Sequence, residues 1–143
     1  MLIRGSCHCG NICFSLAWEP DPVSIPVRAC GCTFCQKHGG VWTSKPDGML
    51  RIAVKDSARV SEYQFGTRTA KFHTCAVCGV VPVVTSLIDG RLYAVVSANA
   101  FEGIDPALLV RSPSNFDGEG TDCRLARRAR NWIAKVEFDE ANA

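Results

Sequence analysis

Cys75-Ala76-Val77-Cys78-Gly79 is the stretch from which the rest of the chain can be read. Two thiols separated by two residues, with a glycine behind them, form a knuckle. A tight turn aims both sulfurs at one point while Gly79 permits a positive φ angle. Downstream, Val83 to Ile88 and Leu92 to Val96 flank Asp89-Gly90-Arg91, a short Gly-containing turn that predicts a β-hairpin. Upstream, Val60 to Phe65 reads as a further strand. The knuckle thus sits between strands and supplies half of a metal site.

Cys7 and Cys9 could supply the other half. If their segment is extended, residues i and i+2 face one side and both sulfurs reach one ion. Four thiolates would close a tetrahedral structural site that clips distant parts of the chain together, with redox dithiols as the alternative. Spacing alone does not say which pairs share an ion. Beyond this pair, Ile12, Phe14, Leu16 and Trp18 alternate as in a half-buried strand, which Glu19-Pro20-Asp21-Pro22 ends. Cys13, beside that strand face, reads as a small core residue. Val41 to Ser44 and Leu50 to Lys55 read as short strands joined through Pro46-Asp47-Gly48. Leu125, Ala129, Trp132 and Ile133 recur at helical spacing, with Thr121 or Asp122 placed to cap, and Trp132, Ala134, Val136 and Phe138 suggest a closing strand. The expectation is a mainly β single domain over 1–143 with one or two short helices.

Composition narrows the function classes. The chain has 143 residues and nine cysteines, an odd number that forbids complete internal pairing. Sixteen basic and fourteen acidic residues leave a net charge of +2, too little for a global field directed at nucleic acid or an anionic membrane. Met1 to Ser6 holds no apolar signal region, and no apolar run approaches the roughly 20 residues of a membrane span. A cytoplasmic protein without a membrane partner is expected, and nucleic acid is not an expected ligand.

The middle cluster, Cys30-Gly31-Cys32-Thr33-Phe34-Cys35, has a different count. A C-x-C and a C-x-x-C share Cys32, so three thiolates converge from one short loop. Three protein ligands with one open position are the arrangement of a catalytic zinc site, unless His8, His38 or Cys123 arrives as a fourth ligand. An open zinc polarises a carbonyl or holds a thiol as thiolate, and both lead to carbon–sulfur chemistry.

Gly5-Ser6-Cys7-His8-Cys9-Gly10, then Cys30 to Cys35 with Gly39 shortly after, then Phe72-His73-Thr74-Cys75-Ala76-Val77-Cys78-Gly79, together resemble the glutathione-dependent formaldehyde-activating, or centromere-protein-V-like, family. The resemblance covers roughly the first hundred residues, through Val95-Val96-Ser97-Ala98-Asn99. It implies an Mss4-like fold of several coiled antiparallel sheets. It also implies two Zn²⁺ per chain: a structural one on Cys7, Cys9, Cys75 and Cys78, and a catalytic one on Cys30, Cys32 and Cys35. The implied reaction adds glutathione, or a similar small thiol, to formaldehyde to give an S-hydroxymethyl adduct, the reverse of a carbon–sulfur lyase reaction. Ser112 to Trp132 departs from the family's usual C-terminus, which leaves the substrate open.

Within that scheme His38 is the candidate proton carrier, ahead of His73 and His8. Arg124, Arg127, Arg128 and Arg130 suit either the carboxylates of a glutathione-like peptide or a solvated helix face. Trp42, Phe34 and Phe101 suit either a pocket wall or plain core. Two rival readings stand beside the enzyme: a non-catalytic zinc-stabilised module binding protein or nucleic acid, supported by the Arg-rich stretch, and a redox or zinc sensor.

Overall fold

The structure, a computed structural model, describes residues 1–140. The first half comprises β1 (Leu2–Ser6), β2 (Ile12–Ala17), β3 (Ile25–Cys30), α1 (Thr33–His38), β4 (Val41–Thr43), β5 (Met49–Val54) and β6 (Val60–Tyr63). The second comprises β7 (Lys71–Cys75), β8 (Val83–Ile88), β9 (Arg91–Ser97), β10 (Phe101–Glu102), β11 (Leu109–Ser114), α2 (Thr121–Asn131) and β12 (Lys135–Glu140), with 3-10 turns between some of them.

Two sheets form, ordered β10-β1-β2-β5-β12 and β11-β3-β4-β9-β8-β7-β6. Alternation in β2 and β5 turns Ile12, Phe14, Leu16, Leu50, Ile52 and Val54 into the main core. There they meet Ile25, Val27, Val83, Ala94 and Val96 of the larger sheet. The larger sheet is also buried on its other side. Val84 and Val95, adjacent in sequence to Val83 and Val96, belong to a second cluster with Cys32, Cys35, Trp42, Ala70 and Trp132. A sheet covered on both faces loses the simple in–out alternation, as the near-continuous burial of β8 shows.

The predicted hairpin is present, with β8 and β9 joined by Asp89-Gly90 while Arg91 already pairs with Ile88. Three details differ from expectation. Most strand pairs are antiparallel, but β11 runs parallel to β3 and β12 parallel to β5. Both lie at sheet edges, where a strand arriving by a long connection can pair in either direction. The extended C-x-C is corrected as well: β1 ends at Ser6, and Cys7 to Gly10 form a turn closed by Gly10 N–H donating to Cys7 O at 3.1 Å. Finally, α2 is capped by Gly120, with no side-chain cap from Thr121 or Asp122.

The face of α2 is also not the one the apolar spacing indicates. Ala129 is exposed, whereas Arg128 is buried with 6% exposure. Trp132 and Ile133 are buried beyond the helix end, where Ile133 and Ala94 exchange backbone hydrogen bonds of 2.9 and 3.0 Å. Among the described residues no helix is long and apolar enough to cross a membrane.

Candidate metal centres and the adjoining cavity

Two turns build the first cysteine cluster. Cys7 and Cys9 leave the end of β1, and Cys75 and Cys78 occupy the knuckle between β7 and β8, where Gly79 has φ +81° and donates its N–H to Cys75 O at 2.8 Å. The four sulfurs lie within 4.8 Å of one another. Cys7 and Cys9 Sγ are 3.8 Å apart, and Cys9 and Cys75 Sγ 3.5 Å. A tetrahedron with metal–sulfur bonds of about 2.3 Å has edges of about 3.8 Å, which these two separations match, so the cluster could hold a metal ion. Burial pushes the Cys7 thiol up to about 12. Burial opposes ionisation at Cys78 too, but the Val80 and Cys9 N–H groups and the neighbouring thiols bring it down to about 6.

The second cluster is built by α1. Cys30 ends β3; Cys32 caps the helix, its Sγ accepting from the Cys35 N–H at 3.4 Å; Cys35 is buried inside the first turn. The loop expected from sequence is therefore the start of a short helix. Trp42 Nε1–H donates to Cys35 Sγ at 3.4 Å. Gly40 is needed here, because a Cβ would lie 2.9 Å from Cys35 Cβ, from Cys35 Sγ and from Trp42 Nε1. The three sulfurs lie within 4.8 Å of one another, and among the described residues no fourth metal-ligating side chain joins them. Hydrogen bonding from Cys35 dominates in bringing Cys30 down to about 6, with the Cys32 N–H and thiol adding to it against burial. Cys35 is correspondingly pushed far up, first by Cys30 and then by burial. All nine cysteines are free thiols. Both clusters could hold metal ions, and their all-sulfur donor sets suit soft or borderline metals.

This second cluster opens into a cavity of about 510 Å³. Trp42, Phe72, Val84, Val95 and Trp132 give it an apolar floor, and Arg28, Arg124, Arg127 and Arg128 give it a cationic side. Three of the four α2 arginines thus face inward, and only Arg130 is exposed and off the wall. Arg127 is clamped by Glu119, its Nε 3.1 and 3.2 Å from the two carboxylate oxygens and Nη2 3.0 Å from one, and its guanidinium lies 3.6 Å from the centre of the Phe116 ring. That ion pair holds the Glu119 carboxyl below its ordinary value. Arg124 donates to the carbonyls of Phe116 and Glu119 at 2.7 and 3.1 Å. Of the two readings the sequence offered for the α2 arginines, Arg124, Arg127 and Arg128 follow the ligand-facing one and Arg130 the solvated one, whereas Arg28, a lone charge in a strand, gave no signal.

The family description "Glutathione-dependent formaldehyde-activating enzyme" matches residues 2–107, which hold all seven clustered cysteines. The chain belongs to this family. Among solved structures it is similar to the crystal structure of a Rhodobacter sphaeroides protein, with 29% identity and a TM-score of 0.53 over 73% of this chain and 92% of that one. In this family member, the residues beyond the match form β11, α2 and β12, which include both parallel-pairing strands and three of the four arginines of the cavity wall, Arg124, Arg127 and Arg128.

The remaining candidates fall elsewhere. His38, at the end of α1, is exposed with its ring 4.4 Å from that of Phe34, and it is not among the cavity-lining residues. His8 is exposed between two cluster cysteines. His73 is buried with Nε2 2.7 Å from Thr85 Oγ1. Trp42 lines the cavity, Phe34 packs in the aromatic group beside it, and Phe101 packs edge-on to Phe14 in the main core. Cys123 is exposed on α2 and joins neither cluster, and Cys13 is half-buried, donating to Gly10 O at 3.1 Å.

Proposed function

We propose that the chain is a zinc-dependent enzyme of the carbon–sulfur lyase type that joins a small thiol to a small aldehyde, glutathione and formaldehyde being the pair the family name suggests. Cys7, Cys9, Cys75 and Cys78 would hold a structural zinc, and Cys30, Cys32 and Cys35 a second one at the cavity. The observation that carries the reading is the asymmetry between the clusters: four sulfurs that fit a closed tetrahedron against three that open on a cavity. When bound at the second cluster, zinc supplies Lewis acidity and stabilises a thiolate at neutral pH.

The chain's own residues do the rest. Trp42 fixes Cys35 through its indole N–H, and Gly40 leaves the space for that approach. The apolar floor excludes water from the reacting groups. In the reaction a sulfur–carbon bond forms, the carbonyl π bond breaks, and the thiol proton ends on the new hydroxyl. His38 stands off the wall, so the proton is assigned to Asp117, a carboxylate lining the cavity whose charge acts on Cys30.

The binding-module reading loses its main support, because an RNA or DNA surface needs its arginines outward and three of the four line the cavity. The test compares wild type with Cys32→Ala for metal content, thermal stability and formation of the S-hydroxymethyl adduct by NMR. Loss of one zinc with a retained fold and an adduct rate at background supports the enzyme. An unchanged rate refutes it, and salt-dependent association with RNA or DNA that survives the substitution would favour the module.

A further inference from the structure

Two of the cavity's arginines direct their hydrogen bonds at the protein itself. Phe116 to Glu119 form a tight turn closed by Glu119 N–H donating to Phe116 O at 3.1 Å. Asp117 and Gly118 sit at its tip, and Gly118 has φ +84°, the positive value that the third residue of such a turn requires. Arg124 Nη2 donates to the carbonyls of both corner residues, Phe116 at 2.7 Å and Glu119 at 3.1 Å. Arg127, one helical turn further on, holds the same two residues by their side chains, through the Phe116 ring and the Glu119 carboxylate. The turn is thus gripped at both corners, by backbone and by side chain. Between the grips lies Asp117, whose side chain lines the cavity.

The start of the same segment is fixed to the three-thiol cluster. Gly31, between Cys30 and Cys32, donates its N–H to Ser114 O at 2.7 Å, and a Cβ at that position would crowd Ser114 O at 3.3 Å. Asn115 Nδ2 donates to Gly31 O at 3.4 Å while Asn115 Oδ1 accepts the Asp117 N–H at 2.9 Å. The charges divide accordingly. Glu119 pairs with Arg127 and lies 4.0 Å from Arg124 Nε, whereas among the described residues no cation lies at ion-pair distance from Asp117. The carboxylate that is left unpaired is the one whose charge is felt at Cys30. An exposed turn with a glycine at its tip would wander if it were free. A misplacement of about 1 Å at a reacting group can cost about 100-fold in rate, so such a turn needs holding.

We infer that Arg124, seconded by Arg127, is a positioning residue that sets the Asp117 carboxylate beside the three-thiol cluster. The inference rests on the reading above for the role of Asp117 in the reaction. Asp117, Arg124 and Arg127 all lie beyond residues 2–107, so the arrangement belongs to the C-terminal part of the chain.

The experiment uses the full chain, with and without zinc, and compares wild type with Arg124→Gln, Arg124→Lys, Asp117→Asn and the Arg124→Gln, Asp117→Asn double variant. Adduct formation from glutathione and formaldehyde is followed by NMR for kcat and KM, and backbone hydrogen exchange by mass spectrometry. Arg124→Gln should lower kcat about ten-fold or more with KM within about two-fold, because it displaces a reacting group without touching substrate. In the Asp117→Asn background the same substitution should cost less than about two-fold, since residues that act as a unit are not additive. Arg124→Lys, which keeps a cation able to donate to carbonyls, should recover part of the loss. Exchange over residues 115–120 should quicken in Arg124→Gln with or without zinc, while that of β2, β5 and β9 stays as in wild type. If Arg124→Gln does not fold, Arg127→Gln, which releases the same turn through its side chains, runs through the same comparison. A raised KM with unchanged kcat would make Arg124 a substrate contact, and equal losses in both backgrounds would make it a fold element only; either overturns the inference. An Asp117→Asn rate equal to wild type, with faster exchange in Arg124→Gln, refutes the proton assignment alone. Exchange as slow as in wild type refutes this inference alone. Should wild type form no adduct, the reaction is refuted and the exchange data decide the clamp.

Discussion

Replacing Cys9 by serine tests the division of labour between the clusters most directly. Cys9 is exposed, so the change leaves no core cavity and acts mainly through the metal site. The sulfurs of Cys9 and Cys75 are 66 positions apart in the chain. Releasing such a clip returns about (3/2)RT ln n of loop-closure entropy to the unfolded ensemble, roughly 4 kcal/mol. For a domain of this size that corresponds to a fall in melting temperature of about 15 °C. The comparison is Cys30→Ser, because Cys30 and Cys35 close a span of only about five residues, for which the same expression gives roughly 1.4 kcal/mol and a shift of about 5 °C. The assay is thermal denaturation followed by circular dichroism, alongside metal released per chain. Each variant should lose one equivalent of metal, yet only Cys9→Ser should be severely destabilised. Cys13→Ser, outside both clusters, should do neither. Equal melting shifts for the two cluster variants, or full metal content in Cys9→Ser, would refute the reasoning.

Three further outcomes are expected. Asp117→Asn should lower kcat for adduct formation by about 100-fold, whereas His38→Gln should change it by less than about two-fold, as measured by NMR rate assays on both. Gly40→Ala should weaken metal binding at the three-thiol cluster while sparing the other, because its Cβ cannot fit against Cys35 and Trp42; a chelator competition that distinguishes one equivalent from two would read this. Acidification should undo the Glu119 clamp. The folded-state value of Glu119 lies below 4.5, so the unfolded chain takes up that proton first and stability falls as pH drops from about 4.5 through the folded value. Glu119→Gln should flatten that part of the stability–pH curve, and superimposable curves would contradict the assignment.

The residues differ in how openly they declared their places. The β8–β9 hairpin was legible because Asp89-Gly90 interrupts two β-rich runs, and β2 because its core-facing residues alternate. The Cys7–Cys9 and Cys75–Cys78 pairs and the Cys30–Cys35 triplet were legible because ligand spacing is local chemistry, whereas the union of the two pairs came only from the family resemblance. The second cluster's helix was not, since α1 has only six residues and its cap is a cysteine, a residue absent from ordinary capping signals. β11 was hidden for another reason. Leu109–Ser114 is mostly exposed and contains Pro113, so neither alternation nor propensity marks it, and its partner β3 lies far away in sequence. The arginine face of α2 stood only as one of two alternatives. Apolar periodicity points to Leu125 and Ala129, while the side chain that is buried is Arg128.

β11 is added at one margin of the seven-stranded sheet and β12 at one margin of the five-stranded sheet, with α2 spanning the interval between them. The last quarter of the chain is therefore laid along the outer edges of both sheets. It is fastened beside the three-thiol cluster, where Gly31 N–H donates to Ser114 O at 2.7 Å, and it brings Phe116, Glu119 and Arg128 to the cavity that the cluster opens into. Every clustered sulfur therefore belongs to the part of the chain that also lays most of the apolar floor, while the last segment furnishes most of the cavity's charge.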